Sequence, residues 1–376
     1  MESFKMQNTK GLFIENDSIK TLKPLVYLPN YHLFCRHKTI GIVLQRLLIS
    51  LILLMIGISM SAQHINGITA VATPSPFPSD PYPRLKETNA NWICLVPYGF
   101  TRLNQTKIWY NVDRQWWGEK PEGVIENIRL AKNNGLKVFM KPQIYVPGSW
   151  PGDIDFKSEA EWVAWETAYR DFIMSYLDIA ISHDVDMFCV GTEFKTSEKK
   201  RPEFWKQLIS DMRCLYPGKL TYSSNWDSYE GVPFWSDLDY IGISSYFPLS
   251  SEATPVAERL SKKWKSNVSS LRRFSEKKGK KMLFTEYGYL SVDGCAGKTW
   301  ELEKKVHDLP INEAAQAVSF NELYSALWHE SFWAGGFIWK WFPHGQGHEG
   351  YVDRDYTPQD KKAEKVIANW FGKDLQ

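Results

Sequence analysis

Between residues 67 and 341 the chain repeats one pattern: a short apolar run, then a longer segment whose apolar residues recur at helical spacing. Strands alternating with amphipathic helices build a parallel sheet whose exposed faces the helices cover. The apolar runs predict strands at 67–72, 91–96, 137–141, 186–190, 220–223, 240–244, 281–285 and 336–339. Helical stripes lie between most of them. Pro121 opens one, with Val124, Ile125, Ile128 and Ala131 on a face and Gly135 at its end. A second carries Trp162, Trp165, Tyr169, Phe172, Ile173, Tyr176, Leu177 and Ala180, and a third Trp205, Leu208, Ile209 and Met212. Val256, Leu260, Trp264, Val268 and Leu271 form another, closed by Gly279. Ala314, Ala317, Phe320, Leu323, Leu327 and Trp328 make the next, and Val366, Ile367, Trp370 and Phe371 the last. Residues 225–239 are too few for a full helix, so a single turn or tight loop is expected there. Eight such units predict an α/β fold of the (β/α)8 barrel type, whose usual size is about 250 residues plus loops.

The first 62 residues stand apart from this pattern. Residues 47–60 (LLISLILLMIGISM) form an apolar run after Arg46 and before Ser61-Ala62-Gln63. A basic flank, a short apolar stretch and small residues at its end describe a secretory signal peptide. A membrane span needs roughly 20 apolar residues, and extending this run back to Ile40 places Gln45 and Arg46 inside the bilayer. Residues 1–62 are therefore expected to be a leader with a signal peptide at about 40–62, an uncleaved membrane anchor being the alternative. Residues 63–376 are expected to fold as one domain, secreted, periplasmic or held at the cell surface. The Pro-rich stretch 73–83 is read as the loop after the first strand.

The net charge of +2 gives no footprint for nucleic acid or an anionic surface. Of the five cysteines, Cys94 and Cys189 lie in strand-like runs, where a buried thiol is the default. No C-x-x-C spacing occurs, so neither zinc nor a redox pair is indicated. His344 and His348 share a loop with no strand carboxylate beside them, and no metal or other cofactor is expected. A monomer is expected.

Two of the apolar runs end in a glutamate, at Glu193 and Glu286. A carboxylate at the end of a core strand gains nothing from packing, because burying it unpaired is costly. The strand count places the two after strands four and seven. In a (β/α)8 barrel the residues just past each strand surround one mouth. Around the glutamates this rule gathers Tyr98, Lys141, Gln143, Asn225, Trp226, Tyr246, Trp339 and Trp341. Paired carboxylates ringed by aromatics and amides suit a sugar site better than a phosphate or metal site. One acid must be protonated to serve the leaving oxygen, and the other ionised to attack or stabilise the anomeric carbon. A tyrosine beside the second would hold it in place, and Trp339 would floor the sugar ring.

Several segments carry a family likeness: Gly191-Thr192-Glu193, Leu220-Thr221-Tyr222 with Asn225-Trp226, and Phe234-Trp235 through Asp239-Tyr240-Ile241-Gly242. Ser245-Tyr246-Phe247-Pro248-Leu249, Thr285-Glu286-Tyr287-Gly288-Tyr289 and Gly336-Phe337-Ile338-Trp339-Lys340-Trp341 continue it. In order and spacing these resemble glycoside hydrolase family 113, β-mannanases of the clan A barrel glycosidases, over roughly residues 66–341. The resemblance implies Glu193 as acid/base, Glu286 as nucleophile with Tyr246 orienting it, and retention of configuration. It implies mannan or a manno-oligosaccharide as substrate. In the wider clan an asparagine commonly precedes the acid/base and contacts the sugar 2-hydroxyl. Here Thr192 stands at that position, and Asn225 is one candidate replacement. An exo-acting β-mannosidase, a β-glucan hydrolase of the same clan and a non-catalytic polysaccharide-binding barrel remain as alternatives.

Overall fold

A computed structural model describes residues 64–345, 347 and 350–373; the signal segment expected at 40–62 and His348 lie outside them. Eight parallel strands close into a barrel: β1 Ile65–Ala70, β2 Trp92–Leu95, β3 Lys137–Met140, β4 Met187–Thr192, β5 Lys219–Asn225, β6 Ile241–Ser244, β7 Met282–Tyr287 and β8 Trp333–Trp341. They follow one another around the barrel in chain order, with β8 paired to β1. Each overlaps an apolar run in the sequence.

Alternation along the strands divides the core into two layers. Trp92, Cys94, Phe139, Met187, Cys189, Leu283 and Phe337 fill the barrel interior. Ile93, Leu95, Val138, Phe188, Leu220, Ile243 and Phe284 point outward into the layer shared with the helices. Burying a side chain of this size contributes about 1.5–3 kcal/mol, so both layers resist a slip that would exchange them.

The principal helices are α1 Pro121–Asn133, α2 Glu159–Ser182, α3 Pro202–Leu215, α4 Ala257–Lys278, α5 Glu313–Leu327 and α6 Lys362–Phe371. α1 starts on a proline, whose missing N–H costs nothing in the first turn. α2 starts on a capping box in which Ser158 and Glu161 satisfy each other's backbone N–H groups. Its buried stripe is the predicted one, from Trp162 to Ala180. α4 ends at Gly279, which adopts a left-handed φ of 63°.

Two departures are local. Val256 lies before α4 and is exposed. The buried face of α5 is Ala315, Gln316, Ser319, Phe320, Leu323, Tyr324 and Leu327, while Ala314 faces solvent. The small apolar residues hid this shift, because polar Gln316 and Ser319 are buried by bonds to backbone carbonyls. Residues 225–239 form two short 3-10 turns, Tyr229–Gly231 and Trp235–Asp237, as their length requires. Among the described residues, no helix is long and apolar enough to cross a membrane.

Candidate active site

The inward phase of the strands delivers most of the predicted residues to the mouth. Lys141 continues the phase of Phe139, and Tyr246 that of Ser244. Beyond β2 and β3 the chain forms a second, two-stranded sheet, Tyr98–Phe100 with Gln143–Tyr145, in which Tyr98 pairs with Gln143. Tyr98 and Trp339 pack on the interior cluster and stay half-exposed. Asn225 ends β5 in the phase of Ser223 and is half-buried, its Oδ1 accepting the Trp226 N–H at 2.8 Å.

Both glutamates need more than alternation. On β7, Glu286 has the phase of Phe284, which would turn it outward into the helix layer. The β6–β7 register slips here: Ile243 pairs with Phe284, but Ser244 pairs with Glu286. The extra residue on β7 turns the carboxylate into the mouth, as bulges beside active sites do. β4 carries an extra residue as well, with Cys189 opposite Thr221 and Thr192 opposite Ser223. Thr192 thereby keeps the phase of Ser223 and is buried, its Oγ1 3.9 Å from Cys189 Sγ. Gly191 is needed in this bulge because a Cβ there would lie 2.8 Å from the Trp205 ring and 2.9 Å from that of Tyr222. Glu193 follows at a φ of 59°, in the left-handed region that non-glycine residues rarely adopt.

The two carboxyls are held differently. Glu286 accepts from Lys141 Nζ at 2.7 Å and Gln143 Nε2 at 3.4 Å on one oxygen, and from the Tyr246 hydroxyl at 2.6 Å on the other. Burial pushes its pKa up, but the charge and hydrogen bond of Lys141, with the bond from Tyr246, outweigh burial and hold it below the usual glutamate value. Lys141 is fully buried; burial disfavours its charge, and Glu286 more than offsets this, keeping it protonated. Its ammonium also lies 5.6 Å from the Trp339 ring centroid, within cation–π reach. Glu193 accepts from Trp150 Nε1 at 2.5 Å. Burial and then the charge of Glu286 raise its pKa, against smaller lowering effects from Ser244, Trp150 and Lys141. The one mouth thus biases Glu286 toward its ionised form and Glu193 toward its protonated form. That is the pairing general acid catalysis beside a nucleophile requires.

Removing Lys141 tests this tuning. In Lys141→Met the Glu286 carboxyl, followed by 13C NMR, is expected to titrate at higher pH, because burial is then no longer offset. Denaturant unfolding at pH 7 should show a loss of about 3 kcal/mol or more, the cost of breaking a buried ion pair. A group with a depressed folded pKa stabilises above its unfolded value and loses that contribution as pH falls through the folded one. The unfolded value is common to both proteins, so the stability difference between wild type and variant should shrink as pH falls from the variant's raised Glu286 pKa to the wild type's lowered one. An unmoved Glu286 titration would remove Lys141 from this role.

Two predicted residues sit away from the mouth centre. Trp341 is 1% exposed in the outer core, its ring under the Arg84 guanidinium, and offers no face to a ligand. The β1–β8 register explains the correction: Ile68 pairs with Ile338 but Ala70 with Trp341, so an extra residue on β8 turns Trp341 outward. Trp226 lies on the rim, stacked on Trp300 at 5.9 Å and edge-on to Phe247.

Trp150, Ser244 and Trp300 were not legible in advance. Trp150 comes from the loop after β3, where no strand phase fixes direction; its one signal is Gly152. A Cβ at residue 152 would lie 2.2 Å from the Trp150 ring, so the glycine leaves room for the indole that reaches Glu193. Among the described residues no group of three His, Cys, Asp or Glu side chains is arranged to hold a metal ion.

Residues 78–361 match the model of glycoside hydrolase family 113. No curated protein sequence matches the chain. A family 113 β-mannanase from Alicyclobacillus acidocaldarius, solved with ManMIm bound, is 27% identical and superposes with a TM-score of 0.71, over 82% of this chain and 97% of that one. A second family 113 structure, of a β-1,4-mannanase complex, is 24% identical with a TM-score of 0.70, over 82% and 99%. A β-glucuronidase from Ruminococcus gnavus, at 15% identity and a TM-score of 0.55 over 82% of this chain and half of that one, shares the barrel fold. The extent of the family match, on a barrel whose mouth holds two oppositely tuned glutamates, makes the chain a glycoside hydrolase: it belongs to glycoside hydrolase family 113.

Proposed function

We propose that the protein is a retaining endo-β-1,4-mannanase that cleaves mannan and glucomannan by double displacement. The observation that carries this reading is the opposed tuning of Glu286 and Glu193 in one mouth. Glu286, ionised and aimed by Tyr246 and Lys141, attacks the anomeric carbon. Glu193 gives its proton to the leaving oxygen, then takes one from the water that releases the glycosyl-enzyme. Trp339 floors the ring, and Tyr98, Gln143, Thr192 and Asn225 supply polar contacts to its hydroxyls. The β-mannanase named among the similar structures supports mannan as the substrate. Residues 1–62 act as leader and signal peptide or as an anchor, and residues 63–376 are the catalytic domain, delivered outside the cytoplasm as a monomer.

Incubation with mannohexaose is expected to give mannobiose and mannotriose, with the β-anomer appearing first by 1H NMR. Cellohexaose should be cleaved far more slowly. Mannose as the sole early product would favour an exo-acting mannosidase, and faster cleavage of cellohexaose a β-glucan hydrolase. Binding of mannan without new reducing ends would favour a pure binder.

A further inference from the structure

Glu198 lies in the short helix Lys195–Lys200, which begins two residues after the proposed acid/base, and it is 1% exposed. A carboxyl placed this deep demands a reason. It accepts the Tyr222 hydroxyl proton at 2.6 Å. With that proton committed, the Tyr222 oxygen accepts the backbone N–H of Phe194 at 2.8 Å. The helix closes the circuit, since Glu198 N–H donates to the Phe194 carbonyl at 2.8 Å. Phe194 directly follows Glu193, whose left-handed φ is a strained conformation that a free chain would relax. The neighbouring bonds, Glu193 N–H to Ser223 O and Lys195 N–H to Glu193 O, fix the turn only on its own backbone and the adjacent strand.

We propose that Glu198 and Tyr222 are positioning residues for the acid/base: a buried carboxyl–phenol clamp that holds the Phe194 N–H and with it the left-handed turn aiming Glu193. The inference rests on Glu193 being the proton donor. Neither residue touches substrate, because both lie in the layer outside the strands, with Tyr222 packed against Trp205 and Phe234. The clamp needs an oxygen acceptor at residue 198 and not a charge. Burial in fact pushes the Glu198 pKa up to about 7, with the Glu193 charge adding to the rise and Tyr222, Lys199 and Lys195 opposing it. Facing Glu193 itself are Glu286 on β7 and Lys141 beyond β3.

The test compares kcat/KM on mannan with kcat/KM on 2,4-dinitrophenyl β-mannoside. Both values report the glycosylation step, but only the natural leaving group needs a proton. Tyr222→Phe keeps the ring and loses the hydroxyl. It should lower kcat/KM on mannan about tenfold to a hundredfold, the scale of a misplaced catalytic group, and leave the aryl mannoside within about threefold. Glu198→Met should do the same, and Glu198→Gln, whose amide oxygen still accepts, should restore mannan activity. Equal losses on both substrates, or none in Tyr222→Phe, would overturn the clamp. A wild type inert on every β-mannoside would instead sink the mannanase reading. The clamp is then judged by 13C titration of Glu193. Its raised pKa should fall in Tyr222→Phe as the loosened turn lets water in, and an unchanged titration overturns the proposal.

Discussion

Glu286→Ala is expected to lower kcat/KM by about ten-thousandfold or more on mannan and on 2,4-dinitrophenyl β-mannoside alike, since a missing nucleophile is not replaced by a better leaving group. The substitution also opens space beside the anomeric carbon, next to an ammonium left without its partner. Lys141 is fully buried and bonds Glu286 at 2.7 Å, so the vacated pocket should attract a small anion. Azide is therefore expected to restore turnover of the aryl mannoside and to give α-mannosyl azide, the product of one inverting displacement. Glu286→Gln keeps the shape and the hydrogen bond from Tyr246 but cannot attack, and it should be as inactive without rescue. Full activity in Glu286→Gln, or a β-configured azide from Glu286→Ala, would contradict the assignment of Glu286 as nucleophile. Circular dichroism separates this from unfolding, because stranding Lys141 costs stability whatever Glu286 does.

Where the sequence could be read, and where it could not, follows from strand geometry. A residue just past a strand inherits the direction of those two and four positions earlier, so Lys141 was legible from Phe139 and Tyr246 from Gly242 and Ser244. The same rule puts Glu286 on the wrong side and Trp341 on the right one, and the structure reverses both. Each lies beyond a register shift, between β6 and β7 for Glu286 and between β1 and β8 for Trp341. A bulge adds a residue without a strong local signature, so its effect on direction appears only when the neighbouring strand is known. A carboxylate at a strand end asks for an explanation whichever way it points, and that singles out Glu286 without knowledge of the bulge. Trp341 carries no comparable signal, because tryptophan is as well suited to core as to a sugar face. Trp150 lay beyond reach for another reason: its approach to Glu193 depends on the path of a loop, and Gly152 records only that something large passes close by.

Glu193→Ala should behave in the opposite way to Glu286→Ala, its loss depending on the leaving group. On mannan kcat/KM is expected to fall about a hundredfold to ten-thousandfold, the usual worth of a positioned general acid. On 2,4-dinitrophenyl β-mannoside it should change little, because dinitrophenolate departs without a proton. Turnover of that substrate at saturation should still be slow, since the glycosyl-enzyme now waits for water without a base. Azide needs no base, so it should accelerate this step and yield β-mannosyl azide, two inversions from the starting sugar. The pH profile supplies an independent sign. Burial and the charge of Glu286 raise the Glu193 pKa, so the wild type keeps its acid to higher pH and kcat/KM on mannan falls only as Glu193 finally ionises. That alkaline limb should vanish in Glu193→Ala. The acidic limb, set by protonation of Glu286, should stay or move slightly to lower pH. Removing the like charge at residue 193 can only favour ionised Glu286. Equal losses on both substrates, or an alkaline limb that survives the substitution, would place the proton donor elsewhere in the mouth.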